Sequence, residues 1–564
     1  MAEGSRKAAP REDFGVRTGA SPSTHAVIVA RLGFVHTPLF SMKKSPTLLI
    51  ISLAFVSTLR AELKLPAIIS DHMVLQQKQS NPIWGWDVPG TKVTVTFAGQ
   101  TKSVVAGADG KWTVKLDAVP ANAQPQTIAI TGTTQKEIQD VLVGEVWMCS
   151  GQSNMGFALR EDWNGDLESA ASNLPNLRLI KVPQVGTQEL KTDFKGSWKP
   201  SAKDSASGFS AVGFLFGRYI HEILGVPVGL IDNAWGGSAA EAWIRRTSLE
   251  DDPRFKPLME TTVKREAGLQ EPKAKDDHAA AMERHKLALE KAKAEGKPAP
   301  RAPQSPDAWL AGNARPGNIF NGIVHPTLGY GLKGVIWYQG ESNASRAYEH
   351  AELFPYLIEQ WRKEWAQGDF PFYWVQLADF RPESTRPGES PWAELRETQT
   401  KTMRLPNTGQ AVIIDLGEGR DIHPRNKHDV AARLVRWALV KDYGMTLPYR
   451  SPEYKSVQIE GAKATVTIDC FGSFLRPFDV EEAVGFAICG EDKVWHPAKG
   501  KILGKDKVEV TGEAVAQPIA VRYAWADNPV CNLASNDGLP VTPFRTDDFE
   551  MTTKPKPAPA AKAP

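Results

Sequence analysis

Between residues 141 and 416 the sequence alternates short apolar runs with longer stretches, such as 211–224 and 353–365, whose apolar residues recur at helical spacing. Each run has the length of a buried strand. The apolar runs are residues 141–148, 226–231, 334–338, 372–377 and 411–416. This alternation predicts an α/β domain with a doubly wound parallel sheet that helices cover on both faces. A ligand site is then expected beyond the carboxyl ends of the strands.

Regions with a different pattern flank this domain, which we place at 141–445. Residues 62–140 contain short stretches of alternating polarity separated by turns, and the same alternation returns in 446–550, so we predict an all-β module on each side. Residues 251–306 are a charged helical and Pro-rich insertion, either a solvated surface excursion or a cap over the site. Residues 551–564 are a basic, Pro-rich tail that we expect to be disordered.

The N-terminal region contains the pattern of an export signal. The apolar run 48–59 is too short to span a bilayer comfortably, and Met42-Lys43-Lys44 precedes it. A basic segment, an apolar segment and a small residue at the cut are typical of a secretory signal peptide, although Leu59 is larger than usual near such a cut. We therefore predict an upstream extension at 1–41, a signal peptide at 42–61 and a periplasmic or extracellular protein. The alternative is a cytosolic tail before a buried helix.

The composition excludes several classes of protein. The chain has 564 residues, of which 41% are apolar and 23% charged, an ordinary balance for a globular protein. Its 67 Lys and Arg against 65 Asp and Glu give no electrostatic case for binding nucleic acid, and nothing besides 48–59 suggests a transmembrane span. Protein partners cannot be predicted. Four cysteines exclude a disulfide-dense scaffold, although export would permit one disulfide among the three in the C-terminal module.

Four of the apolar regions lead into short polar loops that contain glycine. The loops are 150–155 (SGQSNM), 235–238 (WGGS), 339–343 (QGESN) and 417–424 (GEGRDIHP). Because the carboxyl ends of parallel strands meet at one edge of a sheet, we expect the four loops to lie together.

These loops supply the residue types that acyl transfer requires. A hydroxyl nucleophile needs a neighbouring base, and the developing oxyanion needs N–H donors already in place. The candidate nucleophiles are Ser153, Ser238 and Ser342, among which spacing does not decide, and the candidate base is His423. The candidate donors are Gly236, Gly237, Gln339 and Asn343. Neither a G-x-S-x-G nor an H-E-x-x-H motif occurs, and we expect no metal or organic cofactor.

The loops resemble, in sequence and in order, those of a known family. Gly-Gln-Ser-Asn-Met at 151–155, Trp-Gly-Gly-Ser at 235–238, Trp-Tyr-Gln-Gly-Glu-Ser-Asn at 337–343 and Ile-His-Pro at 422–424 are similar to the sialate O-acetylesterase branch of the SGNH (GDSL-like) hydrolases. The resemblance covers roughly residues 62–550 and implies an SGNH-type, flavodoxin-like sheet. It also implies a serine esterase acting on an O-acetylated carbohydrate, with sialic acid as the substrate in the family name. Acetyl xylan or another polysaccharide, and an inactive carbohydrate-binding homologue, remain as alternatives.

The same resemblance implies roles for individual residues. Ser153 would be the nucleophile and His423 the base, while the oxyanion donors would be the N–H groups of Ser153 and Gly236 and the side chain of Gln339. Other loop residues would contact substrate or support the loops: Gln152, Asn154, Gly237, Glu341 and Asn343, of which Gly237 and Asn343 are also alternative oxyanion donors. Arg396 could form a salt bridge or bind the carboxylate of a sialate.

One position departs from the family pattern. Many SGNH hydrolases carry Asp three residues before the catalytic His, but here that residue is Arg420, whose side chain cannot accept a hydrogen bond. Either Asp421 reaches His423 through a different turn and completes a triad, or a backbone carbonyl orients the imidazole and the site is a Ser–His dyad.

Overall fold

The computed structural model describes residues 62–384 and 386–556. The predicted upstream extension at 1–41, the signal peptide at 42–61 and the tail beyond residue 556 lie outside the described residues. In the part of the chain that is described, no helix has the length and apolar character needed to cross a membrane.

The first region is built from strands. In chain order they are β1 (Val74–Gln76), β2 (Asn81–Trp86), β3 (Lys92–Phe97), β4 (Gln100–Val105), β5 (Lys111–Leu116), β6 (Asn122–Thr131) and β7 (Gln135–Gly151). Strand β7 pairs with β6 and β1 in its first part and then continues into the central sheet. Its burial alternates up to about residue 140 and is complete from Val141 onward. The side chains of β7 are thus buried from Val141 onward, whereas its pairing with β1 continues to Gly144 and its pairing with the central-sheet strand 228–232 begins at Glu145.

The next region alternates strands and helices. The elements are α1 (Gly165–Ala170), β8 (Leu174–Lys181), β9 (Lys199–Ser201), α2 (Lys203–Ala206), α3 (Ala211–Leu224), β10 (Val228–Asp232), α4 (Arg246–Asp251), α5 (Lys256–Gln270), α6 (Pro272–Ala294), α7 (Pro306–Leu310), β11 (Gly334–Tyr338), α8 (Ala347–Trp365), β12 (Phe372–Val375), α9 (Pro391–Thr402), β13 (Thr408–Ala411) and α10 (Lys427–Lys441). Strands β13, β12, β11, β7, β10 and β8 form a parallel sheet in that order, with β9 antiparallel at the edge.

Helices cover both faces of this sheet. Along β11, Val335 and Trp337 belong to the core that includes α8, whereas Ile336 and Tyr338 belong to the core that includes α3 and α10. Successive residues of a strand point to opposite faces, so a strand covered on both sides is apolar throughout. The predicted parallel sheet with helices on both faces is confirmed, but the flavodoxin-like strand order is not, because β10 lies between β7 and β8. The insertion is helical, and its long helix α6 contains no buried residue.

The C-terminal region is again made of strands. They are β14 (Glu453–Glu460), β15 (Lys463–Asp469), β16 (Leu475–Pro477), β17 (Ala483–Cys489), β18 (Trp495–Leu503), β19 (Lys507–Thr511), β20 (Ala520–Tyr523), β21 (Leu533–Ser535) and β22 (Phe544–Arg545). Seven of them form an antiparallel sheet, and β16 pairs with β21. Val412 and Ile414, just after β13, pack into the core of this region. The four cysteines, all described, are unpaired, so the structure contains none of the disulfides that export would permit.

Candidate active site

The end of strand β7 determines where Ser153 lies. Gly151 has a φ of +131°, and a Cβ added there would meet the carbonyl oxygen of Tyr338 on β11 at 2.2 Å. Only glycine fits this close approach, which lets the chain turn over the edge of the sheet. The next N–H, of Gln152, donates to the same carbonyl at 2.8 Å. Ser153 follows at the rim of the sheet with a half-buried side chain.

The structure brings Ser153 and His423 together. The Nε2 atom of His423, in the loop between β13 and α10, lies 2.7 Å from the Oγ atom of Ser153, although the residues are 270 positions apart. This is a hydrogen-bond distance, so Nε2 accepts the hydroxyl proton when Nδ1 carries the ring proton. The pair has the geometry of a hydroxyl nucleophile beside a general base.

Asp421 also lies beside the imidazole. Its Oδ1 atom is 3.3 Å from Nδ1 of His423 and accepts the backbone N–H of His423 at 2.9 Å. The N–H of Asp421 donates to the carbonyl of Glu418, and this turn carries the carboxylate to the ring despite the shifted position in sequence. The side chain of Asp421 is 58% exposed, however, so water screens the interaction.

In the described part of the chain, two backbone N–H groups at this corner, those of Ser153 and Gly236, have no acceptor. Gly236 packs against Ser153, because a Cβ on Gly236 would lie 3.3 Å from the Cβ of Ser153. Unpaired N–H groups beside a nucleophile are what an oxyanion requires. Asn313 completes this corner, since its Nδ2 donates to the carbonyl of Gly236.

The oxyanion role predicted for Gln339 does not agree with the geometry. Its Nε2 donates to the carbonyl of Ser238 at 3.1 Å and to Oδ1 of Asn343 at 2.8 Å, and the side chain is fully buried. Both amide protons are therefore engaged. The alternative donor, Asn343, is engaged as well, because its Nδ2 donates to Glu241. Both amides therefore tie the loop after β11 to residues 238–241, which follow β10.

The remaining loop residues predicted from the sequence differ in their burial. The side chain of Gln152 is buried, and its Oε1 accepts the N–H of Gly340 at 3.4 Å. Ser238 is buried and accepts the indole N–H of Trp243, while Gly237 is exposed beside Asn313. Ser238 is thus a loop residue.

Next to Ser153 lies a polar cluster of Asn154, Glu341 and Lys427, in which Asn154 and Lys427 are buried. Asn154 donates to Oε1 of Glu341 at 2.6 Å and accepts from Nζ of Lys427 at 2.7 Å. Burial raises the pKa of Glu341. Burial also lowers the pKa of Lys427 to about 7, against the opposing effect of Glu341 and Asp162. Glu341 therefore supports the loop rather than facing outward.

Sequence reasoning missed two residues of this site. Lys427 follows His423 by four positions and begins α10, a proximity that could have pointed to it. Asn313 comes from the segment after the insertion, and its sequence context contains no signal.

Arg396 has neither predicted role: it is fully buried and donates to the carbonyls of Leu377, Ala378, Ala526 and Asp527. No group of three or more His, Cys, Asp or Glu side chains in the described ranges is arranged to hold a metal ion.

Comparison with known proteins gives three concordant results. A family model described as "Carbohydrate esterase, sialic acid-specific acetylesterase" matches residues 309–432. The mouse sialate O-acetylesterase is 29% identical over 503 residues, covering 82% of this chain and 89% of the mouse protein, and the human protein is 29% identical over 527 residues, covering 84% and 91%. The crystal structure of a carbohydrate acetylesterase from Xanthomonas citri is similar with a TM-score of 0.73 and 37% identity, covering 86% of this chain and 100% of that chain.

The family model includes the loop that carries His423, and the similarities over most of the chain define it as a carbohydrate esterase, a class of carboxylic ester hydrolases. More narrowly, the chain belongs to the sialate O-acetylesterase family. The family predicted from the four polar loops is thereby confirmed.

Proposed function

We propose that the protein is an exported serine esterase that removes O-acetyl groups from a carbohydrate. The observation that carries this proposal is the 2.7 Å contact between Oγ of Ser153 and Nε2 of His423 at the edge of the sheet. The same contact argues against an inactive carbohydrate-binding homologue, because a protein that only binds sugar has no need of an aligned nucleophile and base.

In the first half of the reaction, Oγ of Ser153 attacks the acetyl carbonyl carbon while Nε2 of His423 takes the hydroxyl proton. The N–H groups of Ser153 and Gly236 hold the negative charge that develops on the carbonyl oxygen. As the tetrahedral intermediate collapses, the bond from the acetyl carbon to the sugar oxygen breaks. The imidazolium gives its proton to that oxygen, and the sugar leaves with a free hydroxyl.

In the second half, water attacks the acetyl group on Ser153 and His423 again takes a proton. Collapse of this second intermediate releases acetate and returns the proton to Oγ of Ser153. Asp421 stabilises the imidazolium in both halves, weakly because its carboxylate is exposed. No step of this scheme calls on Gln339.

Sialic acid is the substrate we propose first, since relatives that cover most of the chain are named sialate O-acetylesterases. Acetylated xylan or another polysaccharide is the alternative, supported by the 37% identity to a protein described only as a carbohydrate acetylesterase. The test is acetate release from O-acetylated sialosides and acetylated xylo-oligosaccharides, with Ser153→Ala as control. Release from xylo-oligosaccharides alone would contradict the sialate assignment, and equal release by the variant would contradict the serine mechanism.

Export is proposed on the sequence of residues 42–61 alone. The mature N-terminus of the protein recovered from cell fractions tests it. We expect a chain that begins near Glu62 outside the cytoplasm, and an intact N-terminal region retained in the cytoplasm would contradict export.

A further inference from the structure

The side-chain amide of Asn154 connects three of the four loops around the site. Its Nδ2 donates to Oε1 of Glu341 at 2.6 Å and to the carbonyl oxygen of Ile422 at 3.0 Å. Its Oδ1 accepts from Nζ of Lys427 at 2.7 Å. The side chain is 1% exposed, so these contacts have no competition from water. Asn154 is thus a buried junction next to the nucleophile.

The chemistry of the partners allows this amide only one orientation. A lysine ammonium group donates and cannot accept, so the amide oxygen must face Lys427. A carboxylate and a backbone carbonyl accept and cannot donate, so the amide N–H groups must face Glu341 and Ile422. A rotation by 180° about the terminal bond of Asn154 would break all three hydrogen bonds. Each donor of the amide would then face a donor, and its acceptor would face acceptors.

Lys427 is itself held firmly. Its backbone N–H donates to Oδ1 of Asp162 at 2.9 Å, and its Nζ atom lies 4.7 Å from the ring centroid of Phe157 and 5.3 Å from that of Tyr338. Aromatic faces attract a cation, and burial among them leaves the ammonium little freedom. The side chain is fully buried, unlike most lysines at the start of a helix.

The carbonyl of Ile422 belongs to the peptide that leads into His423, so the Asn154 amide fixes the backbone from which the imidazole extends. We propose that Lys427 is a positioning residue for His423: by setting the orientation of the Asn154 amide, it holds the Ile422–His423 peptide where Nε2 meets Ser153. This inference rests on the proposed serine mechanism. Lys427 does not touch substrate.

The test is the rate at which a fluorophosphonate ester labels Ser153 in the full-length protein. Labelling requires the serine to be activated by His423, and its end point counts folded sites. For Lys427→Met we expect the labelling rate and kcat on a small acetyl ester to fall about 100-fold, the scale of a 1 Å misplacement, with KM and labelling stoichiometry unchanged. A loss of structure alone would instead lower the stoichiometry and leave the surviving sites with the wild-type rate.

The matched control is Lys441→Met, an exposed lysine at the other end of the same helix, which should label as the wild type does. Two further variants cover the case in which Lys427→Met does not fold. Lys427→Met with Glu341→Gln removes both buried charges together, and Asn154→Asp keeps the shape of the amide while placing a carboxylate oxygen against Glu341.

We expect slow labelling in Lys427→Met, in the Lys427→Met with Glu341→Gln double variant and in Asn154→Asp, for each of these that folds. A wild-type labelling rate in any of these folded variants would overturn the positioning role. The proposed function fails separately and visibly, because the wild-type enzyme would then not be labelled at Ser153 at all.

Discussion

The polar groups of the site form two layers that differ in their access to water. The outer layer is Ser153, His423 and Asp421, of which the His423 and Asp421 side chains are 35% and 58% exposed. The inner layer is Asn154, Glu341 and Lys427, and Asn154 and Lys427 are almost completely buried. Solvent screens charges in the outer layer, whereas a charge in the inner layer must be paired because its desolvation costs several kcal/mol.

This difference in exposure separates the groups that react from the groups that hold the structure around them. Groups in contact with solvent can change their charge during a reaction at little cost to the fold, while buried groups that change charge disturb their whole surroundings. Substitutions at exposed reacting groups should therefore lower the rate without lowering stability. Substitutions at buried polar groups elsewhere around the site should lower stability more than the rate.

The largest effect is expected for the reacting pair itself. In Ser153→Ala and in His423→Ala, kcat for acetate release should fall by about 10⁴-fold or more, because nucleophile and base act as a unit. Since both side chains are partly exposed, the free energy of unfolding should change by less than about 1 kcal/mol. Steady-state kinetics and urea denaturation of the same preparations measure the two quantities. A His423→Ala variant with more than a tenth of wild-type activity would break the comparison.

Substitution of a buried group that does not react should lower the free energy of unfolding strongly and kcat only slightly. Arg396→Met leaves four carbonyls near Leu377 and Asp527 without their donor, so the free energy of unfolding should fall by about 3 kcal/mol. We expect kcat per folded molecule to fall less than tenfold. Urea denaturation measures the loss, with Arg404→Met, an exposed arginine just beyond the same helix, as the matched control. An unchanged free energy of unfolding in Arg396→Met would show that a buried polar group of this protein need not stabilise the fold.

The pH dependence of stability sharpens the comparison at another buried group. Burial lowers the pKa of His350 from 6.5 to about 3, where its Nδ1 contacts Oγ1 of Thr398. The unfolded chain therefore binds a proton that the folded protein does not, and this contribution to stability is complete above pH 6.5 and is lost as the pH falls toward 3.

Between pH 7 and pH 4.5 the wild type should therefore lose about 2–3 kcal/mol more stability than His350→Gln. Chemical denaturation at the two pH values measures the difference. Parallel losses in the two proteins would mean that His350 is already protonated in the folded state at pH 4.5.

The smallest effect is expected for Asp421, the most exposed member of the outer layer. An exposed ion pair contributes about 0.2–1 kcal/mol, so Asp421→Ala should lower kcat less than about tenfold. The loss should thus be far smaller than in His423→Ala. If the two variants lose the same activity, the site is a full Ser–His–Asp triad in which Asp421 orients the imidazole.

Much of this arrangement could be predicted from the sequence, because the reacting residues occur where strands end. The apolar run 141–148 followed by Gly151 indicates a strand that ends and turns just before Ser153. Parallel strands that lie side by side bring their carboxyl ends to one edge of the sheet. The same reasoning predicted that the loop of His423 lies beside these strand ends. The choice of Ser153 over the other two candidate serines came from the family resemblance, and the role of Asp421 was left open.

For the inner layer, the sequence indicated Asn154 and Glu341 as loop residues, but neither their hydrogen-bond partners nor the part played by Lys427 could be predicted in this way. Gln339 and Asn343 appeared as donors, but which acceptor an amide meets depends on the path of the loop, which sequence patterns do not specify. Lys427 looks like an ordinary charged residue at the start of a helix, and its burial follows from the rings of Phe157 and Tyr338 packed against it. The helical insertion likewise gives no sign that Asn313, just after it, reaches Gly236.

The account depends most on Ser153 carrying the acetyl group during turnover, and acid quenching of the working enzyme tests this directly. Wild type mixed with an acetyl ester, quenched within the first turnover and digested, should yield the peptide containing Ser153 with the added mass of one acetyl group. The modification should be absent from His423→Ala. An unmodified Ser153 peptide from an enzyme that is releasing acetate at its full rate, or an acetyl group on another residue, would contradict the account.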